Sequence, residues 1–139
     1  MVKPNSKQQD MQEKVLMYQL MQNHIEQLRQ QLMAVEREFL EIDGTINAVE
    51  TISTNKIDND SFVPLGTGCF VKSSINSKNN FLINIGAGIF VNKKTAEAVE
   101  FLEEMKTERE KLLNKIKNEF DSTMGKINDV GKEISAMQQ

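Results

Sequence analysis

The sequence predicts an α+β fold, a long antiparallel two-helix coiled coil with two tandem β-hairpins between the helices. Three observations carry that expectation. Heptad patterns of apolar residues occupy both ends of the chain, and two short β-rich, glycine-punctuated stretches lie between them. The 139 residues include only two Pro and seven Gly, so little interrupts long helices. Residues 1–139 read as a single domain, with coiled-coil helices at 8–53 and 95–138 and the two hairpins at 62–92.

The first seam runs through Tyr18, Met21, Ile25, Leu28, Leu32, Val35, Phe39, Ile42, Ile46 and Val49, alternating steps of three and four. With Tyr18, Ile25, Leu32, Phe39 and Ile46 at a and the others at d, the e column holds Gln22, Arg29, Glu36, Asp43 and Glu50. A polar flank beside an unbroken apolar seam is what a coiled coil requires. Gly44 falls at f, away from the seam.

The second seam is expected to start at Thr95 as N-cap, with Glu97 in the first turn, and to enter the core with Val99 and Leu102. It resumes at Leu113, Ile116, Phe120, Thr123, Ile127, Val130, Ile134 and Met137. Between the two runs Lys106 and Arg109 take seam slots while Met105 and Leu112 are displaced, which reads as a local stutter. Arms of nearly equal length fold back on each other, placing Met11 near Met137 and Val49 near Val99. Gly125 and Gly131 soften the end of the second arm.

After a polar linker, Thr54 to Ser61, four short β runs follow: Phe62–Leu65, Cys69–Lys72, Phe81–Ile85 and Ile89–Val91. Gly66-Thr67-Gly68 and Gly86-Ala87-Gly88 make the turns, and Asn76–Asn80 joins the pairs. Leu65-Gly66-Thr67-Gly68-Cys69-Phe70-Val71 recurs twenty residues later as Ile85-Gly86-Ala87-Gly88-Ile89-Phe90-Val91, so one hairpin is a copy of the other. Val63, Leu65, Cys69 and Val71 share one face, as do Phe81, Ile83, Ile85, Ile89 and Val91. The sheet has no second layer of its own, so these nine residues are expected to form an oligomer interface covered by another chain.

Enzymatic chemistry finds little support. The net charge of −3 offers no general attraction for nucleic acid. One Cys and one His make neither a disulfide scaffold nor a zinc cluster, and no cofactor or metal is expected. Neither Gly-x-Gly opens a helix or precedes Gly-Lys-Ser/Thr, so both are hairpin turns. His24 at g reads as a solvated flank residue, Cys69 as part of an apolar face, and Asp58, Asp60, Glu103 and Glu104 as solvated carboxylates. With no membrane-length apolar run and no leader-like start, the chain reads as soluble and cytoplasmic, with no nucleic-acid or membrane partner.

A surplus of apolar residues remains near the chain ends. Val15, Leu16, Met17 and Leu20 lie outside the a and d slots, and Met1, Met11, Met17, Met21, Met124 and Met137 gather where the two ends meet. Methionine is unbranched and polarizable, and such a surface can repack around many shapes.

The two hairpin stretches, Val63-Pro64-Leu65-Gly66-Thr67-Gly68-Cys69-Phe70-Val71-Lys72 and Phe81 to Val91, followed by Lys94-Thr95-Ala96-Glu97-Ala98, resemble the alpha class of prefoldin subunits. Two hairpins rather than one match the alpha class. The resemblance implies a chaperone without ATP chemistry, built as a hexamer of two alpha and four beta subunits on a double β-barrel. It also implies nonnative protein clients and delivery to a group II chaperonin. The client-binding residues expected from the surplus are Met11, Val15, Leu16, Met17, Leu20, Met21, Phe120, Met124 and Met137. The alternative is a structural coiled-coil scaffold that assembles through its hairpins and binds no client. Cys69 and the Asn-rich Asn76–Asn80 depart from the family pattern without touching the proposed mechanism.

Overall fold

The computed structural model describes residues 6–54 and 60–139. Helix α1 spans Ser6–Ser53 and helix α2 spans Thr95–Met137, and between them lie strands β1 (Asp60–Gly66), β2 (Cys69–Ser74), β3 (Phe81–Gly86) and β4 (Ile89–Lys93). The expected Met1 lies outside the described residues, as do Asp58 and the middle of the linker. Packing divides the chain into two compact units, Met1–Glu38 with Arg109–Gln139, and Phe39–Glu108.

In the first unit the partners across the two helices run in opposite order. Lys14 Nζ lies 2.6 Å from Glu133 Oε2, His24 Nε2 lies 3.0 Å from Glu119 Oε1, and Arg109 Nε lies 2.6 Å from Glu38 Oε2. The helices are therefore antiparallel, and these pairs flank an apolar seam. Leu28, Val35, Leu113 and Ile116 form its centre, with Leu32 and Phe120 half-buried against them. Thr123 stands in the seam because its hydroxyl donates to the Glu119 carbonyl at 2.8 Å, which spares it an unmet polar group. Gly131 faces Tyr18, whose ring carbon Cε2 would sit 3.4 Å from an added Cβ.

The second unit holds its own core cluster and both hairpins. Ile42, Ile46 and Val49 of α1 bury against Ala98 and Leu102 of α2, and Val49 and Val99 join one cluster as expected. Ala98, fully buried, is a core position that a search for large apolar residues passes over. The polar seam slot is real: Lys106 Nζ donates to Asp43 Oδ1 at 2.7 Å and lies 5.5 Å from the centre of the Phe39 ring. A cation can occupy a core-facing slot when its stem packs and its head finds an acid at the rim.

Each hairpin is an antiparallel pair, β1 with β2 and β3 with β4. Val63 faces Val71 and Ile83 faces Val91, so the odd-numbered residues do share a face. Thr67 and Gly68, like Ala87 and Gly88, all have positive φ, which is the two-residue turn whose twist suits a hairpin. Gly66 at φ 125° and Gly86 at φ 118° carry the bulge before each turn, in a region that side chains rarely enter.

Two expectations change here. Thr95 does not cap α2 with its own side chain, because the first intrahelical bond runs from the Ala98 amide to the Lys94 carbonyl at 2.8 Å, making Thr95 the first helical residue. The cap comes from the inter-hairpin loop: Asn79 Oδ1 accepts from the Thr95 amide and hydroxyl. Second, the sheet is not wholly without cover in its own chain. Phe81 and Ile83 pack on the cluster of Ile42, Ile46, Val49, Ala98 and Leu102.

Candidate functional site

Two surfaces stand out, one in each unit. In the first unit, Val15, Leu16, Met17 and Leu20 project from α1 into solvent, with Leu16 at 57% and Leu20 at 60% exposure. The i, i+4 spacing of Leu16 and Leu20 puts them on one side of the helix, outside the seam that Tyr18 and Met21 enter. Gln8, Met11, Gln12, Val15, Leu16 and Gln19 line an open hollow of about 480 Å³. Met11 also meets Met137 in a second hollow of about 390 Å³, as antiparallel pairing predicts.

The nine residues expected here divide by burial. Val15, Leu16, Met17, Leu20 and Met124 are exposed, whereas Met11, Met21, Phe120 and Met137 are half-buried. Phe120 packs against the seam cluster, so it supports the coil more than it offers surface. His24 is not a lone flank residue either, since the opposite helix supplies Glu119. That partner is far away in sequence and only the antiparallel register brings it close.

In the second unit the hairpins expose apolar side chains on both faces. On the odd face Val63, Leu65, Val71, Ile85, Ile89 and Val91 are exposed and Cys69 is free at the surface, while Phe81 and Ile83 are half-buried on the helices. The even face adds Phe62, Phe70, Leu82 and Phe90, with Phe62 at 68% exposure. Sequence reading passed over this second face, although apolar residues at both parities signal a strand meant for cover on two sides. The twenty-residue repeat also breaks at one telling place: Phe81 and Ile83, which dock the second hairpin, correspond to Ser61 and Val63 in the first.

Among the described residues there is no group of three or more His, Cys, Asp or Glu placed to hold a metal ion, and no helix long and apolar enough to cross a membrane.

A family model for prefoldin subunits matches residues 21–139. The chain belongs to the prefoldin family. Its class follows from its relatives. Prefoldin subunit alpha of Thermofilum pendens is 29% identical over 117 residues, covering 84% of this chain and 91% of that protein. Prefoldin subunit alpha of Methanoculleus marisnigri is 30% identical over 112 residues, covering 81% and 74%. With two hairpins between its helices, this is an alpha-class prefoldin subunit. The fold agrees with a cryo-EM structure of filamentous PFD from Methanocaldococcus jannaschii, at TM-score 0.69 and 17% identity over 88% of this chain and 98% of that one. Prefoldin subunits are chaperones and not enzymes.

Proposed function

We propose that this prefoldin subunit holds nonnative polypeptides, without ATP, on the apolar surface of Val15, Leu16, Met17 and Leu20 and passes them to a group II chaperonin in the cytoplasm. The observation that carries the reading is the exposure of those four side chains on a helix that already has a complete seam. A helix that needed only to pair would carry polar residues there. Met11 lines the same hollow as Val15 and Leu16 and adds a side chain that can repack.

Assembly supplies strength. Burying one such side chain contributes about 1.5–3 kcal/mol before ordering costs, so a single arm binds an unfolded chain weakly. Several arms joined in one oligomer raise avidity by about two to four orders of magnitude. The hairpins are the means of joining, through Val63, Leu65, Cys69, Val71, Ile85, Ile89 and Val91 on one face and the four aromatic and leucine side chains on the other. Phe81 and Ile83 complete the odd face and hold the second hairpin to its own helices. The partners in this reading are beta-class subunits, in a hexamer of two alpha and four beta chains whose hairpins close β-barrels.

The test is aggregation of a denatured protein in the presence of the assembled complex, with Leu16, Met17 and Leu20 changed together to Ser. Retained assembly by size exclusion with clearly weaker suppression supports the reading. Unchanged suppression for every client, even with residues beyond Phe120 removed, assigns client holding to the other subunits. If even the unaltered complex fails to suppress aggregation, the chain is a scaffold.

A further inference from the structure

In the first unit the apolar seam does not by itself say how far α2 lies along α1. The a and d slots of α1 are apolar in every heptad from Tyr18 to Val35, so sliding the partner helix by seven residues still sets apolar side chains against apolar slots. Registers are told apart by residues that do not repeat. Arg109 and Glu38 are such a pair. Arg109 takes a seam slot, and its Nε is buried and lies 2.6 Å from Glu38 Oε2. Glu38 belongs to the g column, where the neighbouring heptads hold Met17, His24, Gln31 and Thr45, so it is the one acid among them. A slip of one heptad in either direction brings Arg109 to Gln31 or to Thr45. The buried cationic nitrogen then loses its carboxylate, which is strongly disfavoured. Lys106, the other cation in a seam slot, does not discriminate in this way. It pairs with Asp43 of the e column, and the neighbouring members of that column, Glu36 and Glu50, are acids too.

We propose that Arg109 is a positioning residue which, through Glu38, fixes the register of the two helices in the first unit and so the alignment of the chain ends. A slip of seven residues moves one helix by about 10 Å along the other. It would part Met11 from Met137, which line one hollow in the observed register, and it would change what stands opposite the residues around Leu16. The Arg109–Glu38 pair is partly solvated and therefore a weak source of stability. A polar residue in a seam slot instead specifies register at a cost in stability. The inference holds whether or not the helix surface binds clients.

The test places spin labels on the full chain through Glu13→Cys and Lys117→Cys in a Cys69→Ser background, both labelled positions being exposed on the first unit. Pulsed electron resonance reads the distance between the labels, with the labelled chain diluted into unlabelled chain so that distances within one molecule are measured. One distance is expected in the otherwise unaltered chain. Arg109→Leu should melt no lower, yet a second population, displaced by about 10 Å, should rise to at least about a tenth of the molecules. Glu38→Gln, which leaves Arg109 without an acid in every register, should show the same second population. The exchanged pair Glu38→Arg/Arg109→Glu should restore the single distance, and Lys106→Met should never lose it. A single unshifted distance in both Arg109→Leu and Glu38→Gln, equal broadening in Lys106→Met, or a second population that the exchanged pair fails to remove would each overturn the proposal.

Discussion

Asn79 Oδ1 accepts two hydrogen bonds from Thr95, from the amide at 3.1 Å and from the hydroxyl at 2.8 Å. One side chain of the inter-hairpin loop thus begins the second helix. Ser53 Oγ, in the last turn of α1, lies 2.9 Å from the same Thr95 hydroxyl, so the end of one helix, the loop and the start of the other meet at one small polar node. Changing Asn79 to Ala should lower stability by about 1 kcal/mol, the usual cost of losing a helix cap. Asn79→Asp should keep most of it. The first turn of α2 should lose amide protection more than the middle of the helix, and equal protection across both would show that the node does not hold the helix start.

Three glycines in the helices should respond differently to alanine. An added Cβ at Gly44 or Gly125 meets nothing within 4 Å, so each substitution should raise stability by about 0.5–1 kcal/mol through helix propensity. At Gly131 the new methyl meets Tyr18 at 3.4 Å, and part or all of the gain should be lost as the ring shifts. Chemical denaturation of the three variants orders them. If Gly131→Ala gains as much as Gly125→Ala, the Tyr18 contact is loose.

Lys106 and Arg109 interrupt the apolar seam, and their partners Asp43 and Glu38 are partly solvated. Exposed or half-exposed pairs of this kind contribute about 0–1 kcal/mol, so the pairs are poor sources of stability. Lys106→Met and Arg109→Leu should each be neutral or stabilising in thermal melts, because the stem is replaced by apolar volume and the freed acid can hydrate. Asp43→Ala should be the more harmful change, since it leaves the Lys106 ammonium in a seam slot with only Phe39 and its remaining contacts nearby. The reverse order would mean that the ion pairs, not the packing, stabilise the middle of the helices.

Assembly should depend on exposed hairpin residues that the chain's own core does not need. Leu65 and Phe70 are 67% and 58% exposed, so changing both to Ser should leave helix content and melting nearly unchanged. The same variant should fail to form the full oligomer with beta-class subunits in native mass measurements. Ile83→Asp is a poorer probe, because Ile83 lies against the helical cluster and its loss should unsettle the subunit itself. Normal assembly of the Leu65/Phe70 variant would move the interface elsewhere.

Much of this molecule was legible in the sequence because its signals are local and periodic. The ten seam residues from Tyr18 to Val49 are all buried or half-buried, since a repeat of 3.5 residues leaves a helix only one side on which to pair. The hairpins were equally readable, because Gly-x-Gly supplies the positive φ that two-residue turns require. The surplus apolar residues on α1 were visible as departures from the same period. Tertiary structure decided what depends on meeting a residue far along the chain. It gave His24 its Glu119, Thr95 its cap from Asn79, and Ala98 its place in the core. It also split the two copies of the hairpin motif, docking the one that carries Phe81 and Ile83 on the helices. Periodicity says which side of an element is apolar. Only packing says whether the chain itself or a partner covers that side, because apolar burial is non-directional and the nearest available surface takes it.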